Sequence, residues 1–330
     1  LSSSSAASDV YKRQVSDPAL DVKGDVTIYN QALFGEINWE FINNWTVITG
    51  LRFDRERNHT KFDYIDPLGL ATVSSADDKR SFNELLPKVG LSYQFSQDHI
   101  IGLTWQRGYR GGGIDISTST SHRRYDPEYT NTYELAWRKG WLNQRLNTMA
   151  NIYHTDWKDQ QVELADQNGI AMVANASDAT MRGVELSADY QLNVATSIYA
   201  AAAYNDTEYK EFMIGSYDAS GQPFPFSPKR KLSVGGSYRF TNGLRLSSDV
   251  IYQSDSYTLS YVAGTPTKRR NDSVTLVNLN GEYPLSKQLK LTAFVRNVFD
   301  REYITNNQSA TSLDVGAPRT IGFAIRADMY

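Results

Sequence analysis

Over the last forty residues of the chain, apolar side chains fall on every second position. Leu289, Leu291, Ala293 and Val295 share one parity and Lys290, Thr292 and Arg296 the other. After a polar stretch, Ile321, Phe323, Ile325, Ala327 and Met329 alternate with Gly322, Ala324, Arg326 and Asp328. A period of two belongs to a strand with one apolar and one polar face. Two such strands in succession need a sheet to pair in, so an all-β fold is the starting expectation.

The same alternation extends back to Val26. It predicts thirteen strands, at about 26–41, 45–58, 82–96, 99–110, 128–140, 144–163, 172–191, 196–209, 229–241, 243–256, 272–283, 288–300 and 318–330. Their connections switch between short and long. Tight turns fall at Asn43-Asn44, Ser96 to Asp98, after Gly140, Asn193 to Ala195, Thr241 to Gly243 and Pro284 to Lys287. Long polar connections are expected at about 58–80, 111–127, 164–170, 206–227, 254–270 and 303–317. Outer-membrane barrels have this asymmetry of short periplasmic turns and long extracellular loops, whereas a soluble sandwich has no reason to keep it.

Mean hydropathy is −0.49, and no run of about 18 apolar residues is present, which excludes a helical membrane span. A strand-crossing protein is not excluded, because only every second residue of its strands faces lipid. The 21 tyrosines and 6 tryptophans fit aromatic girdles at the two interfaces. Net charge is −3, which gives no basic excess to recruit nucleic acid. Cysteine is absent, which removes disulfide frameworks, thiolate metal sites and a cysteine nucleophile.

Alternation also assigns faces. In the fourth strand Ile101, Leu103, Trp105 and Tyr109 are expected outward and Gly102, Thr104, Gln106, Gly108 and Arg110 inward. In the fifth, Tyr129, Tyr133, Leu135 and Trp137 are expected outward and Thr132 and Glu134 inward. In the tenth, Leu244, Leu246, Val250 and Tyr252 are expected outward and Arg245, Ser247, Asp249 and Gln253 inward. The sixth strand stays open, since Ala150 and Ile152 lie on one parity and Met149, Tyr153 and Trp157 on the other.

The segment Phe294 to Asp300 with Tyr303, then Gly316 to Thr320 and an alternating last strand, resembles the C-terminal signature of TonB-dependent outer-membrane receptors. Asp126 to Tyr129 leading to Glu134, Asn175-Ala176 leading to Arg182 to Glu185, Ser227 to Lys229, and Val277 to Leu279 stand in that family's order. The resemblance runs from about Val26 to Tyr330. It implies an antiparallel transmembrane β-barrel that is partial here, with about 13 of an expected 22 strands and no plug domain. It also implies a Gram-negative outer-membrane address and active, TonB-driven uptake of a ferric siderophore or similar iron complex. Iron is then carried only as a chelated substrate, with no resident cofactor. Partners on this reading are TonB through a segment absent from the chain, outer-membrane lipid and lipopolysaccharide, and the barrel-assembly machinery. Receptors for heme, cobalamin or oligosaccharide share the barrel, and a passive porin or a soluble all-β adhesin are the rivals from other classes.

Residues 1–14, with a Ser/Ala run and no periodicity, read as a non-native or disordered lead, and 15–330 as the barrel portion. No signal peptide is present, so the chain is expected to be a fragment. Tyr330 falls on the polar parity, one residue after Met329, which leaves open whether it is the native C-terminus.

Gly111-Gly112-Gly113 lacks the Gly-Lys-Ser/Thr of a phosphate loop and reads as a flexible loop root. His59, His99, His122 and His154 show no metal-ligand spacing. Glu134 and Glu185 would be a glycosidase-like pair if close. On a barrel wall they read instead as lumen carboxylates paired to basic neighbours, and no enzyme is expected. The basic groups His122 to Arg124, Lys229 to Lys231 and Lys268 to Arg270 lie in loops, as solvated or lipopolysaccharide-facing charges or as an anion trap. The candidate ligand contacts are Arg110, Arg123, Arg124, Tyr109 and Tyr125, with Tyr209, Tyr217 and Phe224 as further stacking surfaces.

Overall fold

The structure, a computed structural model, describes residues 2–5, 9–12, 15–17, 20–65, 72–115, 123–165, 171–214, 217–262, 265–307 and 313–327. Tyr330 and Met329 lie outside these residues. Thirteen strands pair antiparallel in chain order as one sheet. They are β1 (Leu20–Ile42), β2 (Trp45–Ile65), β3 (Thr72–Ser96), β4 (His99–Arg110), β5 (Glu128–Trp141), β6 (Leu146–Ala165) and β7 (Ala171–Gln191). There follow β8 (Thr196–Glu211), β9 (Arg230–Arg239), β10 (Arg245–Gln253), β11 (Val274–Pro284), β12 (Leu289–Arg296) and β13 (Thr320–Ala327). Ser2–Ser5, Asp9–Lys12 and Val15–Asp17 run along the free edge of β1. Among the described residues no pairing joins β13 back to β1, so the wall is that of a partial barrel.

Register carries the apolar parity from strand to strand. Val47, Leu91, Leu103, Leu135, Ile152 and Val184 stand opposite one another across β2 to β7. This resolves the sixth strand: Ile152 lies in the outward apolar row, and Tyr153 turns inward, its hydroxyl 3.3 Å from Asn205 Oδ1. The opposite face is polar and cross-linked. Glu36, Gly50 and Lys88 share a row, and with no side chain between them Lys88 Nζ reaches Glu36 Oε2 at 2.9 Å. Thr132 meets Thr155 at 3.0 Å, and Asn278 donates to Asp249 at 2.7 Å. At the short-turn end, Trp45, Tyr93, Phe95 and His99 form a chain of rings with centroids 4.8, 4.6 and 4.3 Å apart. Trp137 Nε1 points at His99 Nε2 at 2.9 Å. Large outward aliphatics bounded by rings are what a bilayer selects in a strand-crossing wall.

Three expectations change. The first long loop, expected at 58–80, is largely strand, because β2 and β3 stay paired from Trp45↔Tyr93 to Ile65↔Thr72. Beyond the apolar band the outward positions turn polar and the few apolar side chains, Phe62 and Tyr64 among them, are buried on the inner face, so the outward-apolar alternation stops while backbone pairing continues. Four other long connections carry antiparallel pairs of their own, at 113–115 with 123–125, 213–214 with 217–218, 256–262 with 265–271, and 304–307 with 313–315.

The strand expected over 288–300 stops at Arg296, since Asn297 turns left-handed at φ 50°. Asn297 is buried. Its amide donates to Asn278 Oδ1 at 3.0 Å, its side chain donates to the carbonyls of Arg301 and Ala317 at 3.0 and 3.1 Å, and its Oδ1 accepts from Arg301 N at 2.8 Å. Asp300 Oδ1 accepts from Arg319 N at 2.7 Å. The motif segments around residues 278, 297–300 and 316–319 are thus one knot tying the tops of β11, β12 and β13.

Two substitutions test this architecture in the full-length protein, followed by urea unfolding in lipid or detergent. Leu291 faces outward between Tyr283 and Ile325 and Thr292 faces inward. Leu291→Arg is therefore expected to cost about 2–4 kcal/mol if it lies near the midplane, and Thr292→Arg far less. Equal costs would refute the face assignment. Asn297→Ala strands buried partners on three segments and is expected to cost about 1–3 kcal/mol, whereas a neutral result would show that the knot is not holding the strand tops.

Candidate functional site

The long-loop end of β2 to β6 is closed by the connection between β4 and β5. It folds back over the inner face of the β2–β3 extension, where Phe62, Tyr64 and Phe82 are buried and Ile114 packs on the first two. Arg80 clamps it, donating to the carbonyl of Tyr125 at 2.7 Å and reaching Asp126 Oδ1 at 3.2 Å. Asn58 donates to the carbonyl of Gly112 at 3.0 Å. Gln161 completes the tie through its side-chain amide, to the carbonyls of Gly111 at 2.9 Å and Asp126 at 3.1 Å.

In this setting Gly111 to Gly113 is a point of close approach, correcting the reading as a flexible loop root. A Cβ on Gly111 would overlap the Glu56 carboxylate, one on Gly112 the Tyr125 carbonyl, and one on Gly113 would stand 2.5 Å from the Tyr125 hydroxyl.

Both described mouth arginines stand on buried carboxylates. Arg110 Nε and Nη2 reach the two oxygens of Glu128 at 3.1 Å each, and Glu128 also accepts from Gln161 N at 2.6 Å. Arg124 Nε and Nη2 both donate to Asp78 Oδ1, at 2.9 and 2.7 Å. The arginine side chains remain 59% and 69% exposed while Glu128 and Asp78 are 9% and 6% exposed. The carboxylates therefore orient two largely exposed guanidiniums, that of Arg110 also donating through Nη2 to the Gln161 carbonyl at 3.3 Å. Arg123 is placed by its backbone pairing with Asp115, and its side chain lies outside the described residues.

Tyr125 lies over Gly113, and burial pushes its hydroxyl up, partly offset by Arg110. Tyr109 is not outward as alternation suggested: its hydroxyl is 3.4 Å from both Asp54 Oδ1 and Glu56 Oε2 on the inner face. Tyr129 likewise reaches Glu84 Oε1 at 2.9 Å. The β3–β4 ladder ends at Lys88↔Gln106, so above that row no neighbour on that side holds β4 to the wall's parity.

Glu134 and Glu185 sit on the inner wall but are not brought together as a pair. Glu134 stands opposite Tyr153, and Glu185 opposite Asn151 lower on the wall. Neither makes an ion pair among the described residues, against the expectation of basic partners. Glu185 lines an inner cavity of about 380 Å³ with Met149, Asn151, Ser187 and Lys231. Tyr209 and Phe224 are packed with Phe212 and Trp157 in a buried cluster, so they offer no stacking face.

A wall with an apolar outside, a cross-linked polar inside and its long connections at one end is that of an outer-membrane type of β-barrel. The chain belongs to the TonB-dependent receptors: residues 3–298 match the family described as TonB dependent receptor-like, beta-barrel. It is 25% identical to the metal-pseudopaline receptor CntO of Pseudomonas aeruginosa, over 87% of this chain and 39% of that one. It is 23% identical to the probable siderophore receptor PiuA of Acinetobacter baumannii, over 85% and 38%. The fold is shared with the ferric yersiniabactin uptake receptor FyuA from Yersinia pestis at a TM-score of 0.76 and 19% identity, covering 94% and 47%. The chain thus spans about two-fifths of the length of these curated relatives. The family is one of transport receptors, so the two inner-wall glutamates are not an acid/base pair.

The clamp is testable by hydrogen exchange on the full-length protein. Gly112→Ala drives a methyl into the Tyr125 carbonyl, and exchange at 123–127 is expected to rise while β5 stays protected. Unchanged exchange would mean that the close approach does not hold the loop.

Proposed function

We propose that this chain forms part of a Gram-negative outer-membrane receptor that takes up a metal chelate of the ferric-siderophore class, driven by TonB. The observation that carries the reading is the receptor-barrel match over residues 3–298. The relatives supply the cargo class, since those it resembles in sequence are a metal-pseudopaline receptor, a siderophore receptor and a catecholate siderophore receptor. A copper transporter shares the fold at a TM-score of 0.70, a reminder that fold does not fix cargo.

On this reading TonB engages a segment outside residues 1–330, and the barrel-assembly machinery inserts the wall. Iron passes as chelated substrate, with no resident cofactor. A porin or a soluble adhesin fits less well, because the chain matches the receptor family and carries an outward apolar band.

Arg110, Arg124 and the neighbouring Arg123 are the proposed contacts for carboxylate or catecholate oxygens of the chelate, with Tyr125 beside them. The guanidiniums of Arg110 and Arg124 are held from behind and exposed in front, which supports that role. Charge-assisted contacts contribute about 1.5–3 kcal/mol each, so Arg110→Ala or Arg124→Ala is expected to weaken ferric-chelate binding to the full-length receptor about tenfold to a hundredfold. Affinities unchanged in the Arg110, Arg123 and Arg124 variants, at low and high salt, would remove this site and leave these arginines a purely structural role.

A further inference from the structure

The β4–β5 ladder ends at Glu128↔Arg110 and the β5–β6 ladder one residue lower, at Tyr129↔Lys158. Asp126 and Pro127 therefore lie above β5 with no strand paired to them among the described residues. Side chains stand in for one. Asn175 of β7 is opposite Gln161 of β6, and both amides converge on Asp126. Asn175 Oδ1 accepts from Asp126 N at 2.8 Å while its Nδ2 donates to the Asp126 carbonyl at 3.0 Å. One side chain thus meets both backbone groups of one residue, as a hydrogen-bonded partner does in an antiparallel pair. Gln161 Nε2 donates to the same carbonyl at 3.1 Å.

Asn175 is itself held in place. Its Nδ2 also donates to the Asp159 carbonyl at 2.7 Å, where β6 turns left-handed at φ 53° and its ladder with β7 passes from Lys158↔Asp178 to Gln160↔Ala176. From Asp126 the path to the mouth is short. Pro127 fixes its own φ, and the next residue is Glu128, whose carboxylate takes Gln161 N at 2.6 Å and Arg110 Nε and Nη2 at 3.1 Å. On its β6 side Glu128 lies beyond the last paired row. There its placement depends on the anchor at Asp126 and on the Gln161 N–H.

We propose that Asn175 is a positioning residue for the mouth: acting as the missing strand partner of Asp126, it sets Glu128 and, through Glu128, the direction in which the Arg110 fork is offered. The role rests on Arg110 being a chelate contact, as proposed above. Without the anchor the arginine keeps its charge but loses its orientation. Long-range attraction of an anionic chelate is then unchanged, whereas ordering the freed side chain opposes binding. The defect falls on dissociation rather than association. What matters is the chemistry of the amide and not its volume. Aspartate has the same size and keeps an oxygen for Asp126 N, but it sets a carboxylate oxygen against the Asp126 and Asp159 carbonyls.

The test is binding kinetics on the full-length receptor, with ferric citrate and a ferric tris-catecholate as probes and heat-modifiable gel migration to show that each variant is folded. Asn175→Ala and Asn175→Asp are each expected to speed dissociation about threefold to tenfold. Association rate, its salt dependence and binding stoichiometry are expected to stay as in the wild type. In the Arg110→Ala background Asn175→Ala is expected to add nothing, because a residue that acts through Arg110 has nothing left to orient. Wild-type dissociation in both Asn175 variants, while Arg110→Ala weakens binding, overturns the positioning role alone. So does a full additional effect of Asn175→Ala in the Arg110→Ala background, or an Asn175→Asp receptor that behaves as the wild type, which reduces Asn175 to packing. An Arg110→Ala receptor that binds as the wild type does, or a wild type that binds neither probe, overturns the chelate reading and the positioning role with it.

Discussion

In hydrocarbon an unpaired backbone N–H or C=O has no water to turn to and costs several kcal/mol, so strands that cross a membrane must pair edge to edge. Everything in this wall depends on that pairing. Because register is continuous from β2 to β7, one outward aliphatic row is handed across six strands from Val47 to Val184. A slip of one residue at any ladder would swap lipid and lumen faces for every strand beyond it. The short-turn aromatics, the Glu36–Lys88 bridge over Gly50 and the Asp249–Asn278 bond fix the register from both faces.

The most family-specific stretch of sequence turns out to hold the barrel together. Asn278, Asn297 and Asp300 convert three strand ends into a knot, with one left-handed asparagine filling buried donors and acceptors on β11, β12 and the approach to β13. The knot is a matter of hydrogen-bond geometry between strand ends. It says nothing about cargo.

Most of the wall was legible from alternation, including the thirteen strands and the faces of β10 and β12, because a bilayer imposes that pattern directly. What alternation could not reach is everything beyond the bilayer. Residues 58–65 and 72–80 are strand in which polar side chains predominate and Phe62 and Tyr64 turn inward, so they read as loop. Tyr109 and Tyr129 lie above the end of the β3–β4 ladder, where parity no longer fixes a face. Gly111 to Gly113 looked like freedom and is crowding, since the residues that crowd it, Glu56 and Tyr125, are remote or loop positions no local pattern could supply. Arg110 and Arg124 were visible as mouth cations, but their carboxylate supports, Glu128 and Asp78, were not, because an ion pair between strands depends on register.

The two sets of arginines show how the same side chain is put to different use by its surroundings. Arg110 and Arg124 stand on buried carboxylates that must be paired to be tolerated. Their positions are therefore over-determined and their net charge is largely cancelled. Arg55 and Arg57 face outward with no carboxylate in their own or the adjacent outward rows. Like charges on one face repel, so this outward pair adds nothing to the pairing that holds the sheet. What the fold gives Arg110 and Arg124, and among the described residues does not give Arg55 and Arg57, is a carboxylate partner.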